Sequence, residues 1–141
     1  MPEAEVMYDA DTARAAFARI GMNPEHLEDH LRSVNQHAQA RRQLFELQEK
    51  YLGGRDDLGE LRDATDQLFL DGCIRVDEGT CPTVRPPTEA SKTFIRAYEL
   101  LSPMLADLPK ATQHELMGAL QYVLNTGMDN YALVVAYHGA D

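Results

Sequence analysis

The chain has 141 residues, 44% of them hydrophobic and 26% charged, enough for one domain with its own core and too apolar for a disordered chain. Thirteen basic residues against twenty-three acidic ones leave a net charge of −10. That balance disfavours direct contact with nucleic-acid phosphates and with an anionic membrane surface.

The opening residues, Met1-Pro-Glu-Ala-Glu-Val, carry neither the positive charge nor the apolar run of a secretory signal. Met1–Tyr8 reads as a loose leader. Asp11-Thr12 then caps a short helix carrying Phe17 and Ile20, which Gly21 ends. Asn23-Pro24 opens a much longer helix, with Asn at the cap, Pro in the first helical position and Glu25, Glu28 and Asp29 in the opening turns. It runs to about Tyr51, where Gly53-Gly54 stops it. Its apolar positions are Leu27, Leu31, Val34, Ala38, Phe45 and Leu52, with Arg41 and Gln48 in the two skipped steps. At about 40 Å such a helix outruns the radius of a compact chain, so its near-heptad stripe leaves room for a homodimer through residues 24–51.

A third helix is expected over Arg55–Asp71. Leu58, Leu61, Leu68 and Phe69 mark its inner side, while Asp57, Glu60, Asp63 and Asp66 recur every three residues on the other. Beyond Gly72 the β-capable runs Cys73–Val76 and Thr80–Val84, with Pro82, Pro86 and Pro87, predict a hairpin or irregular insert near 72–87. A hairpin turning near Asp77 brings Cys73 and Cys81 within disulfide or metal reach, but free thiols are the expectation. Thr88 caps a helix carrying Phe94, Ile95, Tyr98, Leu100 and Leu101, and Ser102-Pro103 interrupts it. A further helix is expected over Thr112–Asn125, closed by Gly127. Tyr131–Tyr137 suits either a strand or a last helix; with no strong strand to pair it, helix is preferred. Ala132–Tyr137, the longest unbroken apolar run, is too short for a bilayer. The sum is an all-α single domain over 1–141, a bundle of five or six helices in a cytoplasmic protein.

Two groups of side chains offer chemistry. Asp56, Asp57, Glu60, Asp63 and Asp66 form an acidic ridge whose like charges repel one another and favour a basic partner. Such a ridge suits a non-enzymatic inhibitor, adaptor or assembly factor on the basic surface of another protein, one that itself binds nucleic acid being a natural target. The alternative is a metal-dependent helical enzyme or sensor. His26 and His30, four apart, can turn both imidazoles to one Zn or Fe ion, with Glu25, Asp29, His114 or Glu115 as candidate third ligands. His37 lies two turns on, out of reach of the same ion. Glu46-x-x-Glu49 with Glu60-x-x-Asp63 superficially resembles the paired acidic motifs of helical MazG-type nucleotide pyrophosphohydrolases, which implies acids holding Mg²⁺ inside a bundle. Glu60 and Asp63 instead project away from Leu58, Leu61 and Leu68, so membership is not adopted.

Overall fold

A computed structural model describes residues 5–76 and 81–139. Five helices carry the architecture: α1 (Ala10–Arg19), α2 (Pro24–Leu52), α3 (Leu58–Asp71), α4 (Pro87–Leu101) and α5 (Lys110–His138). A 3₁₀ turn, Ser102–Leu105, follows α4 without a break. Two short strands, β1 (Glu5–Val6) and β2 (Arg75–Val76), pair antiparallel. The all-α bundle expected from the periodicities is therefore the fold. Among the described residues no helix is long and apolar enough to cross a membrane.

The long second helix starts as its sequence dictates. The Asn23 side chain accepts from the Glu25 amide at 2.9 Å, and Pro24 takes the position where a missing N–H costs nothing. Its companion lies within the same chain. Helix α5 is equally long, 29 residues, and runs antiparallel against it, since Asp29, Ser33 and His37 meet Tyr137, Asn130 and Thr126 in turn. Of the stripe on α2, Leu31, Val34 and Leu52 are buried within the chain, in its two apolar cores, while Ala38 and Phe45 are half-buried.

Several boundaries differ from the expected ones. Gly127 does not close the last helix, which continues from Lys110 to His138 and absorbs Tyr131–Tyr137. Glycine is only a mild helix breaker, and here it is required, because a Cβ on Gly127 would lie 2.9 Å from the Gly72 Cα. The stretch read as a loose leader is fixed from Glu5 onward: Glu5 and Val6 pair with β2, the Met7 amide donates to the Ile74 carbonyl at 2.9 Å, and Met7 is buried. Asp9, rather than Asp11-Thr12, caps α1 by accepting from the Thr12 amide at 2.8 Å. Helix α3 begins at Leu58 instead of Arg55, and α4 begins at Pro87, one residue before the expected Thr88 cap.

The insert after Gly72 does double back, with Arg75 and Thr83 exchanging backbone hydrogen bonds of 2.7 and 2.8 Å. The turn expected near Asp77 lies outside the described residues. Cys73 is buried, Cys81 is exposed and both are free thiols.

Two apolar cores result. The larger joins the C-terminal half of α2, α3, α4 and the first half of α5 around Leu44, Leu61, Leu68, Leu101, Leu116 and Leu120. The smaller joins α1, the strand region and the N-terminal part of α2 around Met7, Phe17, Leu31, Val34 and Ile74, with Val134 from α5. On α2 the boundary falls between Val34 and Ala40, and on α5 between Leu124 and Val134.

Candidate functional site

Polar side chains fill that boundary. His37 is 1% exposed; its Nε2 lies 2.8 Å from the Phe69 carbonyl and its Nδ1 lies 2.7 Å from the Thr126 hydroxyl. A carbonyl only accepts, so Nε2 carries the proton and Nδ1 accepts from Thr126. Both ring nitrogens of the neutral imidazole are then satisfied, and burial pushes the His37 pKa down to about 4. Beside the ring, the backbones of Gly72 and Gly127 touch. A Cβ on Gly72 would sit 2.5 Å from the Gly127 Cα and 2.9 Å from the His37 ring, so only glycine fits. One turn along, buried Asn130 donates to the Gly72 carbonyl at 2.9 Å and its amide oxygen accepts from Ser33.

The belt ends at a group of rings. His30 is fully buried, and its Nδ1 donates to the His26 carbonyl at 2.8 Å. Its Nε2 therefore carries a lone pair, directed at His138 Nε2 3.1 Å away. The helix thus gives His30 an imidazole companion from α5. The ring of His26, its expected companion, stacks on Tyr137 with centroids 4.0 Å apart. Tyr137 donates to Asp29 at 2.6 Å, which lowers the Asp29 pKa and raises that of the phenol. Burial lowers the pKa of both His30 and His138, so both favour the neutral ring. Two clefts open beside this group. One, of about 260 Å³, is lined by residues that include Met22, His26, Cys81, Tyr137 and His138; the other, of about 270 Å³, includes Cys81, Tyr131, Val135 and His138. Among the described residues no three of His, Cys, Asp and Glu already stand together as a metal-binding group.

The acidic ridge presents a different arrangement. Leu58, Leu61, Leu68 and Phe69 are buried, while Asp56, Asp57, Glu60 and Asp63 are exposed and Asp66 is half-buried. Part of its charge is matched internally. The Arg55 guanidinium meets Asp57 at 2.9 and 3.1 Å and holds that carboxyl below its usual range. Arg41 reaches across from α2 to Asp66 at 3.0 Å, and its guanidinium lies over the Phe45 ring. Asp56, Glu60 and Asp63 make no ion pair among the described residues.

Asp71, at the end of the same helix, turns the other way. It is 3% exposed and accepts from Arg85 and Gln67 at 2.9 Å and from Thr93 at 2.6 Å, fastening α3 to the insert and to α4. The acids of the MazG-like pattern, Glu46, Glu49, Glu60 and Asp63, are all exposed, and Glu49 pairs with Arg62 at 2.6 Å. They line no interior site.

Sequence reasoning missed His138 as a site residue, because its position depended on an ambiguous terminal segment becoming the last turn of α5. The one available signal was that a helix through Tyr131–Tyr137 carries His138 along the same rod. No known family, curated protein or solved structure matches the chain.

Proposed function

We propose that the protein is a non-enzymatic binding module that docks on a basic protein surface through the outer face of α3. The observation that carries this reading is the exposure of Glu60 and Asp63 on a helix anchored by buried leucines, and of Asp56 in the turn before it, all three without cationic partners among the described residues. A rigidly held row of carboxylates steers a cationic partner and keeps its register, with little lost on ordering. Asp57 and Asp66, already paired with Arg55 and Arg41, flank that row rather than lead it. Exposed charges contribute little affinity individually, so an apolar anchor is needed as well. Tyr8 is the nearest fit: half exposed, stacked on Phe69, it lines a cleft shared with Asp66.

Capture from native lysate tests the reading. The wild-type chain is expected to retain basic proteins at low salt and release them at high salt, since the Debye length shrinks from about 10 Å at 0.1 M to about 3 Å at 1 M. Reversing Asp56, Glu60 and Asp63 to lysine removes that capture. A folded triple variant that retains the same proteins overturns the reading.

A further inference from the structure

Helix α5 buries Leu116, Leu120 and Val123 against the rest of the bundle, yet its outer face lacks the dense charge that such a helix normally shows to water. Gly118, Tyr122, Asn125, Asp129, Ala132 and Ala136 are exposed there, and the spacing alternates four and three residues, the step of a helix–helix seam. Among the described residues from Gly118 to Ala136, Asp129 is the one charged residue. Helix α2, of equal length, instead exposes Arg32, Arg42, Glu46, Glu49 and Lys50. Tyr122 and Met128 stand 43% and 42% exposed, large apolar groups left to water. A Cβ added at Gly118 would meet nothing within 4 Å. Packing inside the chain therefore does not require that glycine, although glycine within a helix is destabilising relative to alanine.

We infer that the outer face of α5 is the interface for a second copy of this chain, packed antiparallel about a two-fold axis at Asn125. The occupant follows from charge. At a net charge of −10 two copies repel, and they meet most readily where carboxylates do not oppose one another. A parallel pair of α5 helices would set Asp129 against Asp129. The antiparallel pair sets Asp129 against Gln121, Tyr122 against Met128 and Gly118 against Ala132, and symmetry repeats each match. Gln121 donates to Asn125 at 3.1 Å within the chain, and its amide carries a second N–H for the opposing carboxylate. Gly118 and Ala132 let the two backbones approach, while Tyr122 and Met128 fill the space beside them. This face belongs to α5 and the acidic row to α3, so the inference does not depend on the docking reading.

Sedimentation equilibrium of the untagged full chain, across concentration and salt, tests the interface. The expected result is a monomer–dimer equilibrium that tightens as salt rises, because screening relieves the repulsion between two acidic chains. Gln121→Glu, which sets a carboxylate against Asp129, is expected to weaken association severalfold, and Gln121→Lys to tighten it. Asn125→Cys, in a Cys81→Ser background, is expected to cross-link to its own copy on oxidation, whereas Glu115→Cys, far from the axis, is not. A chain that stays monomeric at about 1 mM overturns the interface, and so does a dimer indifferent to the charge at residue 121. A dimer that Asn125→Cys fails to cross-link overturns the antiparallel register. Reversing Asp56, Glu60 and Asp63 to lysine is expected to leave the dimer in place, so the two readings fail separately.

Discussion

The outer face of α3 and the seam between α2 and α5 are both rich in ionisable side chains, and they treat them in opposite ways. On α3 the carboxylates of Glu60 and Asp63 face water, and the ion pairs that Asp57 and Asp66 make with Arg55 and Arg41 are at least partly exposed and individually weak. In the seam His30 and His37 favour the neutral ring, their nitrogens meeting a carbonyl, a hydroxyl or another ring, because a charge buried there would lose its hydration. The first arrangement suits reversible encounter with a partner. The second specifies how two long helices pack, since a sliding movement would leave polar groups unpaired.

Substitutions sharpen this contrast, and the seam should yield the larger effects. Gly72→Ala forces a methyl group onto the Gly127 backbone and the His37 ring at once. A loss of about 3 kcal/mol or more is expected from urea denaturation, at the upper end of overpacking costs. Asp71→Ala, which strands Arg85, Thr93 and Gln67, should cost about 2–3 kcal/mol; the half-exposed Arg85 can recover hydration, which keeps the loss below that of a fully buried pair. A cost under 0.5 kcal/mol would show that Asp71 does not fasten α3 to α4.

Acidification offers a third comparison. The unfolded chain binds a proton at His37 near the ordinary histidine pKa of about 6.5, whereas the folded chain resists until about 4. Between those values the unfolded state holds more protons, so stability rises with pH and falls on acidification. His37 alone should remove on the order of 3 kcal/mol from pH 7 to pH 4. His30 and His138, whose pKa values are also lowered, act in the same direction. His37→Gln is expected to start less stable at neutral pH but to lose less on acidification. Denaturation midpoints at pH 7 and pH 5 for both proteins decide the matter, and parallel losses would count against a neutral buried His37. The smallest stability effect belongs to the acidic face: reversing Asp56, Glu60 and Asp63 should shift stability by less than about 0.5 kcal/mol.

Local pattern was enough to read the helices. Leu58, Leu61 and Leu68 recur at helical spacing and are buried; Asn23-Pro24 starts α2 where capping chemistry says it should. Even the two polar interruptions in the α2 stripe have a rationale, since Arg41 meets Asp66 and buried Gln48 donates to Thr65 at 3.0 Å. The acidic side of α3 was legible for the same reason, because exposure follows from periodicity. Asp71 broke the pattern: it is acidic, yet lies on the inward side of the helix end, where Arg85 and Thr93 from later segments receive it.

By itself, then, the sequence determined the all-α class, the extent of the long second helix and the division of α3 into apolar and acidic faces. These rest on interactions between residues three or four apart, which any helix of that sequence makes. Only the tertiary structure decided that α5 runs through Gly127, that Glu5–Met7 join the insert and that His30 meets His138. Those depend on contacts between distant segments: the Gly72–Gly127 approach, the Met7–Ile74 hydrogen bond and an imidazole pair 108 residues apart. No local spacing encodes such meetings, because their free energy exists only once the helices are packed together.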